Sequence, residues 1–242
     1  MIKTPALPIF YTRGIMSYEM DKRFIAILAG IIIILGGIFI FTKASSDNGG
    51  GGSSSSQPTN HVKGEGQSGV TLLEYGDFQC PVCQIYFQPL EEVAAKYSKQ
   101  IFFQFRNLPL TSTHQNAFAS ARAAEAAGLQ GKYWEMHAQL YQNQSSWSSS
   151  SSPLEKFKSY AQAIELDMAK FEKDYASEAV NDAINADLDE FKKTGQPQST
   201  PTIFIDGQAI ENSAMVDPAT GAPSVEKISA LIDKAIADKS GQ

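Results

Sequence analysis

The sequence predicts an α/β domain that follows one transmembrane helix and a flexible linker. Three observations support this architecture: an uncharged apolar run, a glycine-serine run after it, and then two apolar strand-like segments on either side of a helical one. Strands separated by a helix typically form a βαβ unit whose parallel strands are covered on both faces. The predicted boundaries are a cytoplasmic segment at 1–23, a membrane anchor at 24–42, a linker at 43–69 and the α/β domain at 70–242.

The membrane anchor rests on the segment from Phe24 to Phe41, which reads FIAILAGIIIILGGIFIF and holds 18 residues without a charge. A helix of that length spans about 27 Å, close to the roughly 30 Å hydrocarbon core of a bilayer. A cleaved signal peptide is the alternative, but its apolar region is usually about 7 to 15 residues long. Lys22 and Arg23 precede the run and Lys43 alone follows it, so we expect a cytoplasmic N-terminus and an extracytoplasmic domain in a single-pass cell-membrane protein.

The linker contains GGGGSSSS, and a coil of such composition reaches roughly 25 to 30 Å over about twenty-five residues. The domain beyond it carries fourteen Lys and Arg against twenty-two Asp and Glu, a formal charge of −8. Nucleic-acid binding is disfavoured, because phosphate contacts require a basic surface.

The domain begins with strands at 70–75 and 101–105, and a helix starting at Pro81 connects them. Pro89 interrupts the apolar pattern of this helix, so we expect a bend or a break there. A third strand at 202–205 leads through Asp206-Gly207, a strong hairpin turn, into a short strand at 208–210. A final helix follows, with Ser224 as its cap.

The segment at about 111–194 reads almost wholly as helix and forms an insert between the second and third strands. Ser152, Pro153 and Glu155 have the spacing of a capping box at the end of a serine-rich loop. The predicted helices of the insert run over 114–127, 131–142, 154–164, 168–175 and 178–193.

Cys80 and Cys83 are the only cysteines, and they lie one helical turn apart in Cys80-Pro81-Val82-Cys83. Pro81 fits the first position of a helix, which places Cys80 at the helix N-terminus. Free N–H groups and the helix dipole favour a thiolate there, and thiols in such motifs have pKa values of about 3.5 to 7.5. We therefore predict that Cys80 is a nucleophile and Cys83 its resolving thiol, in a redox-active disulfide that needs no further cofactor.

Three alternative roles for the cysteine pair have less support. Half of a zinc site would need a second ligand pair, and His61, His114 and His137 are not spaced as one, so no metal is expected. A structural disulfide across so short a loop would restrict the unfolded chain little. Inert core cysteines would not require a proline at the helix start. We expect His114 at a helix start and His137 partly buried, both in structural roles.

The motif Glu74-Tyr75-Gly76-Asp77-Phe78-Gln79-Cys80-Pro81-Val82-Cys83, the helical insert and the later Ser199-Thr200-Pro201-Thr202 together resemble the DsbA-like branch of the thioredoxin superfamily, in its membrane-tethered form. The likeness covers the chain from Val70 onward. It implies a thioredoxin-like fold with a helical insert and a thiol–disulfide oxidoreductase activity.

The resemblance also implies roles for individual residues. Cys80 matches the family's nucleophilic cysteine and Cys83 its resolving cysteine. Pro201 matches the cis-proline that faces the dithiol, Thr200 supplies the backbone that pairs with a bound substrate strand, and Glu74 matches a buried acid beneath the active site. The residues between the cysteines, Pro-Val instead of the Pro-His of strongly oxidising members, leave the redox potential open.

The residues themselves leave two points open. Pro201 before a short strand is either cis, with its ring against the sulfurs, or an ordinary trans proline at a strand start. Glu74 is either surface-facing or a buried carboxyl of raised pKa that can take the proton from Cys83 as it attacks a mixed disulfide.

The expected function is oxidation of cysteine pairs in unfolded or newly exported proteins, with a membrane redox partner that the resemblance implies to be a quinone-linked reoxidase. Two alternatives keep the same fold. One is a disulfide reductase or isomerase fed by a membrane electron donor, and the other is a tethered module that binds extended peptides without catalysis.

Overall fold

The computed structural model describes residues 57–241, and within them five strands form one mixed sheet in the order β1-β3-β2-β4-β5. The strands are β1 (His61–Lys63), β2 (Val70–Gly76), β3 (Ile101–Asn107), β4 (Thr202–Ile205) and β5 (Gln208–Ile210). β2 and β3 are parallel, and the other three neighbouring pairs are antiparallel. The predicted α/β architecture is confirmed for this part of the chain.

The helices are α1 (Pro81–Lys96), α2 (Ala117–Gly128), α3 (Tyr133–Gln142), α4 (Gln144–Trp147), α5 (Pro153–Ala163), α6 (Met168–Tyr175), α7 (Glu178–Lys193) and α8 (Val225–Ser240). α1 crosses from β2 to β3, which allows these two strands to run parallel. α1 continues through Pro89, so the helix is not broken at this proline as the sequence had allowed.

The end of β2 depends on a glycine. Gly76 pairs in register with Asn107, and Glu74 pairs with Phe105. A Cβ atom on Gly76 would lie 2.4 Å from Cε2 of the Phe105 ring, a separation that a side chain cannot adopt. Glycine at this position therefore lets the Phe105 ring pack across the strand that leads into Cys80.

The insert and the cysteine motif share one hydrophobic core. Cys80, Cys83 and Phe78 pack in the same buried cluster as Trp147 and Phe157 of the insert. Four alanines of α2 also belong to this cluster, and their small side chains allow the neighbouring helices to approach closely: Ala123, Ala124, Ala126 and Ala127. The surroundings of the dithiol are therefore built partly by the insert.

α1 and α8 cover the adjoining part of the same sheet face. Ile228 and Ile232 of α8 are fully buried and pack with Leu90 and Val93 of α1. Burial of each such side chain stabilises the fold by about 1.5 to 3 kcal/mol. The N-terminus of α1, which carries the cysteines, thus belongs to a helix held firmly against the sheet.

The predicted hairpin and C-terminal helix cap are confirmed. Asp206 and Gly207 have φ values of 47° and 79°, as the favoured two-residue hairpin turn requires at both central positions. The Ser224 side chain accepts a hydrogen bond from the Lys227 N–H at 3.3 Å at the start of α8.

The predicted linker end at residue 69 is wrong. Residues 61–63 form β1, which pairs antiparallel with Phe103–Phe105 of β3. The Thr59 N–H and hydroxyl each donate to the Asp187 carboxylate at 2.7 Å. The folded domain therefore begins before residue 70, and the sequence did not reveal it because a three-residue strand has too little periodicity.

Several predictions within the insert also need correction. Helices predicted from 114 and 131 begin at Ala117 and Tyr133. Part of the serine-rich loop forms α4, and the Ser152 side chain makes no capping hydrogen bond although Pro153 does begin α5. The predicted helices at 168–175 and 178–193 are confirmed.

The predicted cytoplasmic segment at 1–23, the anchor at 24–42 and the first part of the linker lie outside the described residues. Among the helices between residues 57 and 241, none has the length and apolar character needed to cross a membrane.

Candidate functional site

Cys80 and Cys83 are both free thiols at the start of α1. Cys80 is the N-cap residue, with φ −68° and ψ 123°, and Pro81 occupies the first helical turn. Cys80 is 5% exposed and Cys83 is fully buried. An incoming sulfur can therefore reach Cys80 and not Cys83.

The two thiols have opposite acidities. The Cys83 thiol that donates to the Cys80 sulfur, together with the nearby Thr200 hydroxyl and the N–H groups of Cys83 and Val82, lowers the pKa of Cys80 to about 5 against the opposing effect of burial. Burial is the main cause that raises the pKa of Cys83 well above its usual value, and the neighbouring Cys80 and Glu74 add to it. At neutral pH Cys80 is thus a thiolate and Cys83 a thiol.

The loop before β4 faces the nucleophile. The Thr200–Pro201 peptide bond is cis, and Pro201 is buried. The Cys80 Sγ lies 3.5 Å from the Thr200 carbonyl oxygen. Of the two geometries left open by the sequence, the structure has the cis form, with the neighbouring backbone beside the sulfur.

Glu74 lies in β2 and is only 1% exposed, so its side chain is buried and not surface-facing. Burial above all raises the pKa of Glu74 to about 8; the charges of Glu91 and Cys80 add to this effect and that of Lys63 opposes it. Its Oε1 atom has no hydrogen-bond partner among the described residues. A largely protonated carboxyl group therefore lies in the interior near both cysteines at neutral pH.

The surface around Cys80 is partly apolar. Val82 and Ile85 of α1 are 44% and 57% exposed, in contrast to the buried residues on the other side of the helix. A cleft of about 170 Å³ lies beside the cis-proline loop, between Pro201 and Ile210. The exposed apolar side chains and the cleft therefore lie on the two elements that meet at Cys80, namely α1 and the cis-proline loop.

Asp77 and His114 are site residues whose pairing the sequence did not predict. The buried Asp77 carboxylate accepts hydrogen bonds from the Gln79 N–H at 2.7 Å and the Leu110 N–H at 2.9 Å, and it pairs with His114 Nδ1 at 2.7 Å. His114 precedes α2 instead of starting it. Asp77 lies within the cysteine motif, but its partners Leu110 and His114 are more than thirty residues away and the sequence gives no signal for them.

His137 is fully buried instead of partly buried as expected. Its ring lies 4.8 Å from that of Phe105 and 5.0 Å from that of Tyr141, measured between centroids. Burial keeps the pKa of His137 well below its usual range, so the ring is neutral. Its position at the base of the site is consistent with a packing role.

The residues between 57 and 241 contain no group of three or more His, Cys, Asp and Glu side chains arranged to hold a metal ion. His61 instead pairs with Glu125 at 2.9 Å and stacks on Tyr133. The cysteines are the chemically reactive groups of the site.

Comparison with known proteins gives one family. The family model described as Thioredoxin matches residues 56–234. Curated relatives include Na(+)/H(+) antiporter NhaA 1 of Mycolicibacterium gilvum, 34% identical over 158 residues, or 62% of this chain and 24% of that protein. The antiporter of the same name from Salinispora arenicola is 33% identical over 163 residues, or 67% of this chain and 24% of that protein. The chain spans about a quarter of the length of these relatives.

Solved structures show the same fold at low sequence identity. BdbD from Bacillus subtilis superposes with a TM-score of 0.62 at 20% identity, covering 76% of this chain and 97% of that one. The thioredoxin-like oxidoreductase from Silicibacter pomeroyi gives 0.59 at 21% identity, covering 74% and 93%. The α-DsbA1 protein of Wolbachia pipientis gives 0.61 at 16% identity, covering 76% and 94%.

Proposed function

The chain belongs to the thioredoxin family, and from that membership and the geometry of its dithiol we propose that it is a thiol–disulfide oxidoreductase that oxidises cysteine pairs in exported proteins. The observation that carries this proposal is the contrast between the two thiols. Cys80 is the accessible group with a pKa of about 5, and Cys83 is buried with a raised pKa. The Cys80 sulfur is suited to form a mixed disulfide with a substrate and to leave from it, and the Cys83 sulfur is suited to resolve that mixed disulfide.

In the oxidative direction the enzyme begins as the Cys80–Cys83 disulfide. A substrate thiolate attacks the Cys80 sulfur, a new sulfur–sulfur bond joins substrate to Cys80, and Cys83 is released. The second substrate thiolate then attacks the substrate sulfur of this mixed disulfide and releases Cys80 as a thiolate. Two electrons pass from the substrate dithiol to the enzyme, and the substrate gains the disulfide.

Glu74 is suited to handle the proton of this exchange. When Cys83 is released in the interior as a thiolate, the protonated Glu74 carboxyl group can supply its proton, directly or through a water molecule, and later regain one from solvent. A pKa of about 8 keeps the proton available at neutral pH. In the reverse direction the Glu74 carboxylate would accept the proton of Cys83.

Substrate binding is proposed at the loop that faces Cys80. An extended peptide that pairs with the backbone at Thr200 would bring a cysteine to the sulfur, because the Thr200 carbonyl lies 3.5 Å from Cys80 Sγ. The exposed Val82 and Ile85 side chains offer apolar contact on the other side of such a peptide. Unfolded chains present both extended backbone and apolar side chains.

The acidity of Cys80 also supports the proposed oxidising direction. A stabilised Cys80 thiolate makes the reduced enzyme the stable form, which raises the reduction potential and makes the disulfide an oxidant. A disulfide reductase or isomerase on the same fold is the alternative, and it would require a potential near that of thioredoxin, about −270 mV.

We place the protein in the cell membrane, with its domain outside the cytoplasm. The proposed partner is a membrane enzyme that reoxidises the dithiol, and the family resemblance implies that this enzyme is linked to quinones. The apolar run from Phe24 to Phe41 and its basic N-terminal flank support this topology. The match to a quarter of two proteins named as Na(+)/H(+) antiporters also supports a membrane setting, although it transfers no transport activity to this chain.

Trapping of mixed disulfides tests the proposal. The full chain in detergent is incubated with a reduced, unfolded protein whose native form contains a disulfide. We expect Cys83→Ser to accumulate a covalent adduct at Cys80, because the resolving thiol is missing, and Cys80→Ser to form none. Equal trapping by both variants, or none by either, would reject the assignment of roles. A purely binding module would retain substrate without any covalent adduct.

A further inference from the structure

Gln144, the first residue of α4, contacts the backbone that leads into the redox motif. Its side-chain amide donates to the Phe78 carbonyl at 2.8 Å and to the Cys80 carbonyl at 2.9 Å. The side chain is 5% exposed, so these hydrogen bonds are shielded from water. The Gln144 side-chain amide of the insert therefore holds two carbonyls of the loop at residues 78–80, which precedes α1 and contains the nucleophile.

These bonds constrain the orientation of Cys80. Because the peptide unit is planar, holding the Cys80 carbonyl holds the Cys80–Pro81 plane and with it the ψ angle of Cys80, which is 123°. That angle sets the direction of the Cys80 side chain relative to the free N–H groups of the first helical turn. The same carbonyl also accepts the first helical hydrogen bond, from the Gln84 N–H at 3.1 Å.

The short helix α4, which carries Gln144, is anchored in the core of the insert. Trp147, at the end of the same short helix, is fully buried, and its Nε1 donates to the Leu140 carbonyl at 2.9 Å. Its ring packs edge-on against Phe157 with centroids 5.3 Å apart. The four residues of α4 thus connect the core of the insert to the loop of the redox motif.

Two further side-chain amides strengthen this connection. Gln79, next to Cys80, donates to the Ser148 carbonyl at 2.6 Å and accepts from the Asn116 N–H at 2.6 Å. The Asn116 amide in turn donates to the Ser148 carbonyl at 3.0 Å and the Ser150 carbonyl at 2.9 Å. The loop before α1 and the segment after α4 are therefore also held together by hydrogen bonds other than those of Gln144.

We propose that Gln144 is a positioning residue of the redox site, which holds the Cys80–Pro81 peptide so that the Cys80 sulfur faces the N–H groups of Val82 and Cys83. The inference rests on the proposed function in that it takes Cys80 as the nucleophile. It adds a role for the insert, which tunes the reactivity of the thiol as well as covering it.

A purely structural role for Gln144 would be to satisfy two buried carbonyls. Gln84 provides the matched comparison, because its side chain also donates to a carbonyl, that of Tyr141 at 3.0 Å, and also joins α1 to the insert. The Gln84 amide does not contact the loop before Cys80. Either substitution removes a side-chain hydrogen bond between the insert and the α1 region, but only Gln144→Met removes the hydrogen bonds to the Phe78 and Cys80 carbonyls.

The test compares Gln144→Met with Gln84→Met in the reduced full chain. The Cys80 pKa is measured from thiolate absorbance in the ultraviolet and from the pH dependence of alkylation, and thermal unfolding is recorded for both. We expect Gln144→Met to raise the Cys80 pKa by about half a unit to one unit, a roughly three- to tenfold smaller thiolate fraction below that pKa. We expect Gln84→Met to leave the pKa unchanged while lowering the melting temperature comparably.

An unchanged pKa in folded Gln144→Met, or an equal shift in Gln84→Met, would overturn the inference. Gln144→Asn keeps the amide but shortens the side chain by one methylene group, and it should raise the Cys80 pKa by a smaller amount. This variant replaces Gln144→Met in the test if Gln144→Met does not fold. Failure of both Gln144 variants to fold would contradict a specific role at Cys80. An ordinary thiol pKa for Cys80 in the unmutated protein would instead refute the proposed function itself.

Discussion

The Cys80 sulfur lies 3.5 Å from the Thr200 carbonyl oxygen, although 120 residues separate the two in the chain. This contact brings the only backbone loop with a cis-proline among residues 57–241 next to the only thiol that solvent reaches there. A peptide paired with that loop would present its cysteine to Cys80 and not to Cys83. The selectivity of the proposed reaction thus follows from the fold as much as from acidity.

The first prediction concerns the order of thiol reactivity. In the reduced protein, alkylation at pH 6 followed by mass spectrometry should label Cys80 and leave Cys83 unlabelled, because Cys80 has a pKa of about 5 and Cys83 is buried with a raised pKa. Labelling in denaturant is the control and should reach both cysteines. Equal labelling of the folded protein would refute the assignment.

The second prediction concerns the cost of burying Glu74. Its pKa rises from 4.5 to about 8 on folding, so the folded state binds the proton more tightly, and stability falls as pH rises between these values. Glu74→Gln removes this cost and should stabilise the protein by up to about 3 kcal/mol at pH 7, and by little at pH 4. The same variant should slow disulfide exchange.

Denaturant unfolding of both proteins at pH 4, 5.5, 7 and 8 measures this effect. Glu92→Gln, at an exposed carboxylate of α1 whose charge does not contribute to the shift at Glu74, is the control and should not reproduce the pH-dependent gain. A Glu74→Gln variant that is less stable at pH 7 than at pH 4, relative to the unmutated protein, would contradict the prediction.

The third prediction concerns the residue between Pro81 and Cys83. Val82 carries no side-chain donor for the Cys80 thiolate, and a histidine there could add one charge-assisted hydrogen bond of about 1.5 to 3 kcal/mol. Val82→His should therefore raise the reduction potential by roughly 30 to 65 mV, since 30 mV corresponds to about 1.4 kcal/mol for this couple. Val82→Leu serves as the control for size, and an equal rise in both would exclude the hydrogen bond as the cause.

The fourth prediction concerns topology. If the run from Phe24 to Phe41 anchors the chain with its N-terminus in the cytoplasm, protease added to intact cells or spheroplasts should release the domain from the linker, whose flexible composition suits cleavage. A cytoplasmic protein followed in parallel should remain intact. Protection of the domain until the membrane is lysed would contradict the orientation.

Much of the site could be predicted from local sequence. The position of Cys80 at a helix N-terminus followed from Pro81 and the helical apolar pattern behind it, and the Asp206-Gly207 hairpin followed from its turn residues. These features depend on neighbours in the chain, where the physical rules are strongest. Whether Pro201 was cis and whether Glu74 was buried remained open, because both depend on tertiary packing.

The features that could not be predicted depend on contacts between distant segments. β1 is too short to show a period, and its place in the sheet depends on pairing with β3. The Asp77–His114 pair and the Gln144 hydrogen bonds join residues 37 and 64 to 66 positions apart. Polar side chains of this kind look like ordinary surface residues in a sequence, and only the fold shows that they hold the loop of the nucleophile.

The central claim is that the Cys80–Cys83 disulfide is an oxidant, and its reduction potential tests this most directly. The full chain is equilibrated in glutathione buffers of graded composition, and the fraction of reduced protein is measured by trapping the free thiols. We expect a potential clearly above the roughly −270 mV of thioredoxin and below the roughly −120 mV of the strongest oxidants of this fold. A value at or below that of thioredoxin would contradict the oxidase assignment and favour the reductase.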